Sequence, residues 1–224
     1  AEVTDCVFRR IIAKCGKPNV MWTEFVSADG LVSAGQKRVL RDLVFTEAER
    51  PIVAQLFTAR PEKMFEAAKV IVGLGFDGLD INMGCPDRQI EKTGAGAALI
   101  KNQNLAGEII AAAQAGTAGR LPVSVKTRLG YARDELDTWL PALLSARPAA
   151  VTIHARTRVE MSRAPAHWEA VARAVAIRDK LSSRTLIVGN GDAMNLAEAA
   201  ARAKATGTDG IMLGRAIFGN PWLF

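Results

Sequence analysis

Short apolar runs alternate with longer alanine-rich segments along almost the whole chain, and this alternation narrows the fold more than any other feature. Runs at 19–24, 52–57, 77–82, 122–127, 149–154, 184–189 and 209–213 have the length and composition of strands. Between most of them lie stretches of helical period, at 61–74, 104–115, 134–146, 167–179 and 192–206, several opened by Pro, Asn or Asp and closed near Gly. Strand followed by helix, repeated, predicts a parallel sheet, because each helix returns the chain to the end where the next strand must start. Two architectures satisfy that pattern: a closed (β/α)8 barrel and a doubly wound open sheet.

Polar residues decide between them. Gln55, Asn82, Lys126 and His154 each stand at or near the C-terminal end of a different run, the face on which barrel enzymes assemble their sites. The expected fold is therefore a TIM (β/α)8 barrel in which seven strands are countable. At the start, Thr4 and Asp5 look like caps of a helix carrying Val7, Phe8, Ile11, Ile12 and Cys15 and ended by Gly16, so the chain opens on a βα loop. The first strand is expected upstream, since seven parallel strands leave an edge exposed. Asn220-Pro221-Trp222-Leu223-Phe224 reads as the lead into a further helix. Residues 1–224 are thus expected to form one catalytic barrel domain, trimmed at both ends.

Composition removes several function classes. With 29 basic and 23 acidic residues the net charge is +6, which favours an anionic partner without naming one. Three cysteines, at 6, 15 and 85, show no CxxC spacing, and only two histidines are present, so neither a disulfide framework nor a metal site is indicated. A reducing cytoplasm fits such a chain. No apolar run approaches the roughly 18 residues of a membrane span, and the N-terminus lacks a signal pattern.

The chemistry concentrates in a few segments. Asp80-Ile81-Asn82-Met83-Gly84-Cys85-Pro86 ends a buried-strand pattern in polar groups and a thiol, and Gly84, Gly94 and Gly96 let the backbone bend tightly around a ligand. A lone cysteine more often packs as a small apolar side chain, the reading adopted for Cys6 and Cys15. In a glycine-rich βα loop, Cys85 is instead the lead catalytic residue, a proton donor as thiol or a nucleophile as thiolate. Gly189-Asn190-Gly191-Asp192 after the seventh expected strand and Gly214-Arg215 after the eighth form a phosphate site of the barrel type, the rival reading being two ordinary turns. Alternation places Ser124, Lys126 and Arg128 on one side of their strand, where cations need anionic company. His154 suits a hydrogen bond to a cofactor or substrate, and His167 beside Trp168 reads as a packing residue.

Together these segments resemble the tRNA-dihydrouridine synthase family. The match runs in order through Val3-Thr4-Asp5, Thr23-Glu24-Phe25-Val26-Ser27, Asn82-Met83-Gly84-Cys85-Pro86, Gly94-Ala95-Gly96-Ala97-Ala98-Leu99, Val125-Lys126-Thr127-Arg128-Leu129-Gly130, His154-Ala155-Arg156-Thr157-Arg158, Asn190-Gly191-Asp192 and Gly214-Arg215-Ala216. The resemblance implies a barrel holding FMN at its C-terminal mouth, with Gln55 and Lys126 at the ring system and His154, Asn190, Gly191, Asp192, Gly214 and Arg215 toward the phosphate. It further implies reduction of FMN by NADPH, hydride transfer from the flavin to uracil C6 and protonation of C5 by Cys85. Asn82, Arg128 and Arg156 would bind the substrate, tRNA, and no protein partner or membrane is implied. Ala155, Ser162, Ala164 and Gln89 depart from the family pattern, all in segments expected to meet RNA. The family's Pro-Met pair would lie just before Ala1, and its helical RNA-binding domain would follow Phe224. Three alternatives share the scaffold: a dihydropyrimidine or dihydroorotate-type flavin dehydrogenase, a non-redox phosphate-binding isomerase or aldolase using Lys126, and a non-catalytic RNA-binding barrel.

Overall fold

The computed structural model describes residues 3–224. Seven strands, β1 (Met21–Ser27), β2 (Ile52–Phe57), β3 (Gly78–Met83), β4 (Val123–Arg128), β5 (Ala150–His154), β6 (Leu186–Asn190) and β7 (Gly210–Met212), form one parallel sheet in chain order. The helices are α1 (Cys6–Cys15), α2 (Ala28–Leu31), α3 (Gln36–Val39), α4 (Pro61–Gly73), α5 (Arg88–Lys92), α6 (Gln103–Thr117), α7 (Leu136–Ser145), α8 (Trp168–Lys180) and α9 (Leu196–Thr206). The sheet is curled, as in a TIM barrel, with β1 and β7 at its two edges.

Several helices begin for a local reason. Pro61 opens α4, where its missing N–H costs nothing. Asn102 caps α6 by accepting from the Leu105 amide, and Asn195 caps α9 by accepting from the Glu198 amide at 2.8 Å. That second cap starts α9 at Leu196 rather than at 192, leaving 191–195 free to form a loop. Asp5 caps α1 through the Phe8 amide at 2.8 Å, as its residue type predicts. Only Arg9 and Ile12 of α1 are buried. Val7 and Ile11 are exposed, and Cys6 and Cys15 are half-buried rather than core residues.

The core lies inside the curl and between the sheet and its helices. All six residues of β3 are buried, and so are Met64, Ala67, Ala68 and Ile71 on one face of α4. Full burial of each larger side chain among them contributes about 1.5–3 kcal/mol. Two expectations shift. β1 begins two residues later and runs three further than its apolar run, and four short helical turns fill 28–49, where the sequence shows no clear period. Elements of three or four residues are too short to display one.

Candidate active site

Strand register assembles the site. Gln55 stands opposite Asp80, Asp80 opposite Ser124, Asn82 opposite Lys126, Arg128 opposite His154, His154 opposite Asn190, and Asn190 opposite Met212. Residues paired in register share a sheet face, so polar side chains from five neighbouring strands gather at one end of the curl.

A continuous hydrogen-bonded relay starts from Asp80, which is 1% exposed. Its carboxylate accepts from Ser124 Oγ at 2.5 Å and from Gln55 Nε2 at 2.6 Å. Gln55 Oε1 accepts from Asn82 Nδ2 at 3.0 Å, and Asn82 Oδ1 accepts from the backbone N–H of Gly84 at 3.1 Å and of Cys85 at 2.9 Å. The donor and acceptor assignments agree from both ends, because a carboxylate only accepts and a backbone amide only donates. Burial raises the Asp80 pKa, partly offset by the Ser124 and Gln55 hydrogen bonds and the Lys126 charge. Sequence reading missed Asp80 as a site residue; a carboxylate inside an otherwise apolar buried strand was the available signal.

The thiol loop is fastened on every side. The Cys85 carbonyl accepts from the Ala97 amide at 2.9 Å, and the Gly84 carbonyl accepts from Arg128 Nε at 2.7 Å. Gly96 makes the close approach possible: its φ is +62°, and a Cβ there would lie 2.8 Å from the Cys85 carbonyl oxygen. Arg158 Nη2 reaches the Pro86 carbonyl at 3.3 Å while pairing with Glu91 of α5. Cys85 is half-buried, and burial pushes its thiol pKa up, so the sulfur is protonated at neutral pH.

Lys126 and His154 border a cavity of about 360 Å³ that also meets Arg156, Asn190, Asp192 and Arg215. Burial, then the nearby Arg128 charge, lowers the Lys126 pKa to about 8. Burial, with the surrounding Lys126, Arg128 and Arg156 charges, lowers that of His154 to about 2. His154 is therefore neutral. Arg156 Nη1 lies 3.2 Å from its Nε2, and a guanidinium has only donors, so Nε2 accepts and Nδ1 carries the ring proton. Gly191 and Asp192 turn the chain here at φ of +135° and +46°. Asn190 Nδ2 ties β6 to the Met212 carbonyl at 2.8 Å. Asp192 is held by Arg156, by the Ala166 amide at 3.0 Å and by Arg215 at 3.2 Å, and the Arg156 bond leads in keeping its pKa low.

Lys126 and Arg215 also line a second cavity of about 420 Å³, with Gln55 and Trp22. The Trp22 indole N–H is buried without a partner among the described residues. A larger hollow of about 850 Å³ lies between the C-terminal ends of α7 and α8 and contains none of the expected site residues.

Two expected substrate residues are tied into the surrounding loops. Arg128, 6% exposed, donates to the carbonyls of Gly84, Thr157 and Met161. Arg156, 2% exposed, is spent on Ala164, His154 and Asp192. Both guanidiniums hold loops together. The structure brings Gln55, Asn82, Cys85, Lys126, His154, Asn190, Gly191, Asp192, Gly214 and Arg215 to the same end of the sheet.

Residues 1–224 match the family model described as dihydrouridine synthase. The chain belongs to the dihydrouridine synthase family. Membership makes it a flavin-dependent oxidoreductase. Among the relatives of this dihydrouridine synthase is the probable tRNA-dihydrouridine synthase 2 of Bacillus subtilis (strain 168), 43% identical over all of this chain and 68% of that protein. A probable tRNA-dihydrouridine synthase of Staphylococcus aureus (strain COL) is 41% identical over the same shares. The fold is similar to histamine dehydrogenase from Rhizobium sp. 4-9, with a TM-score of 0.68 and 14% identity over 97% of this chain and 42% of that one. Morphinone reductase in complex with tetrahydroNAD aligns with a TM-score of 0.64, at 14% identity over 96% of this chain and 79% of that one. Among the described residues no helix is long and apolar enough to cross a membrane.

Proposed function

We propose that this chain reduces uridine in tRNA to 5,6-dihydrouridine with FMN as cofactor and NADPH as electron source. The family and the names of its relatives support the substrate, and the residues present fit the cofactor. Lys126 and Arg215 offer positive charge, His154 offers a neutral Nδ1–H, and the Trp22 indole N–H has no other partner. At Gly191 any Cβ would come within 2.9 Å of Ala166, so the bare backbone there is kept close to the cavity. Gln55 and Lys126 would hold the ring system, and His154, Asn190, Gly191, Asp192, Gly214 and Arg215 the phosphate end. Reduced FMN would supply the hydride for C6 of uracil.

The single observation that carries the reading is the Cys85 loop, whose Gly84 and Cys85 amides are held by Asn82 of the Asp80 relay, with the Lys126 charge near enough to act on the thiol. The Cys85 Sγ–H donates its proton to C5, and the nearby Lys126 and Arg128 charges stabilise the thiolate left behind. Asn82 uses one Nδ2 hydrogen on Gln55 and keeps the other for the base. Arg128 and Arg156 act by holding the loops around the thiol, not by touching substrate. The base must leave its stack to reach these groups, since neither face of C5 or C6 is open in a helix. The three free cysteines suit a reducing cytoplasm.

Cys85→Ala tests the assignment. The expected variant holds flavin and accepts electrons from NADPH normally, and loses at least about 100-fold in turnover on unmodified tRNA. Undiminished turnover would remove Cys85 from the mechanism. Reduction of free uracil or orotate but not tRNA would replace the substrate with a small molecule.

A further inference from the structure

Five arginines stand around the thiol loop and its neighbouring loop, and they divide by commitment. Arg128, Arg156 and Arg158 are occupied by carbonyls, Asp192 and Glu91. Arg88 and Arg163 are exposed, and neither side chain makes a hydrogen bond or ion pair among the described residues. They line one cleft of about 450 Å³ together with Pro86, the residue after the thiol, and Val159, which is 54% exposed. The one carboxylate in that cleft, Asp87, is turned to the N-terminus of α5, where it accepts from the amides of Gln89 and Ile90 at 2.8 and 3.2 Å.

The two free guanidiniums belong to different loops, and those loops are tied together. Arg163 lies in the segment after β5, where its amide donates to the Glu160 carbonyl at 2.9 Å. Arg88 begins α5. Between them, Arg158 of the first loop grips Glu91 of α5 in a pair largely removed from water, with side-chain exposures of 20% and 10%. The two loops that carry the charges are therefore held together by the fold.

We propose that Arg88 and Arg163 form a two-pronged clamp for the phosphates that flank the uridine delivered to Cys85. The inference rests on the reading of tRNA as substrate. A polymer that brings a base to Cys85 passes the cleft, because Pro86 belongs to both, and a polyanion is the chain chemistry that two unpaired guanidiniums recognise. A free nucleoside has no flanking phosphates and gains nothing from them. Phosphates carry no sequence information, so the clamp grips every RNA alike and sets depth and register, leaving choice of uridine to other contacts.

The test compares the chain carrying Arg88→Gln and Arg163→Gln with one carrying Arg120→Gln and Arg184→Gln. The second pair removes the same charge from exposed arginines in the turns before β4 and β6, at the opposite end of the sheet. Binding of an unmodified tRNA transcript is measured between 0.1 and 1 M salt. Loss of two phosphate contacts lowers the slope of log K against log salt by about 1.5. Over one decade of salt that slope corresponds to about 30-fold weaker binding at 0.1 M, with no difference at 1 M. Flavin binding and its reduction by NADPH stay unchanged in both variants. An unaltered slope in the first variant, or an equal loss in the second, overturns the clamp while leaving tRNA as substrate. A wild-type chain that holds reducible flavin and reduces free uracil or orotate, but neither binds nor reduces tRNA, overturns the substrate reading, and the clamp with it.

Discussion

Arg128→Met tests whether the guanidinium between β4 and the thiol loop is a structural fastener. The substitution keeps an unbranched apolar stem and removes every donor. Three carbonyls lose their partner: those of Gly84 and Thr157 in buried bonds, and that of Met161 in a partly buried one that water can replace. A buried polar group left unpaired costs about 1–3 kcal/mol, so the two buried carbonyls together cost about 2–6 kcal/mol. For a domain of this size each kcal/mol moves Tm by about 2–4 °C, which puts the expected fall between about 4 and 24 °C. Part of the loss is returned, because burial already costs the guanidinium enough to lower its pKa to about 10. Arg128→Lys, with a single ammonium in place of a fork, should fall between wild type and the methionine variant. The assay is thermal unfolding with amide hydrogen exchange at Gly84 and Cys85, the two amides held by Asn82. If Arg128→Met melts within about 1 °C of wild type and exchanges no faster there, the fastening argument is refuted.

The histidines should separate cleanly by NMR titration. His154 stays neutral from pH 8 to 5, whereas His167, whose bond to Glu160 raises its pKa, titrates above its ordinary 6.5. Their effects on stability have opposite signs: the His154 contribution is full above 6.5 and is lost as pH falls from there toward 2, and the His167 contribution is full below 6.5 and is lost as pH rises through its raised value. A His154 ring that titrates near 6.5 would contradict the placement. FMN affinity should weaken as pH rises through about 8, where Lys126 loses its charge, and Lys126→Gln should bind more weakly and lack that limb. An alkaline limb that survives in Lys126→Gln assigns it to another group.

The fold was legible because its signals are periodic and repeated. Seven apolar runs became seven strands, and the polar residues near their C-terminal ends, Gln55, Asn82, Lys126 and His154, converged as barrel logic requires. Side-chain direction was less legible. Period-2 alternation put Arg128 on the same side as Lys126, yet the length of its side chain lets it turn back to three carbonyls of neighbouring loops. Arg156 likewise reads from the sequence as a substrate residue, and local pattern gives no sign of the bonds it makes to Ala164 and Asp192. Asp80 escaped notice because its partners, Gln55 and Ser124, lie 25 and 44 residues away and meet it only through strand register. Local pattern reports which face a strand residue occupies and says nothing about distant acceptors.

The relay from Ser124 through Asp80, Gln55 and Asn82 to the Cys85 amide has a consequence for how such a site changes over generations. Each member fixes the orientation of the next, so an exchange of donor for acceptor at one position sets two like groups face to face at the following one. Positions 55, 80, 82 and 124 should accordingly drift as a linked set, tolerating paired replacements and rejecting single ones. The exposed cleft residues obey no such rule, and Arg88, Gln89 and Arg163 can be exchanged one at a time. Under the proposed function, a lineage is thus free to strengthen or weaken its hold on the RNA backbone as a whole while the loop that carries Cys85 stays locked in place.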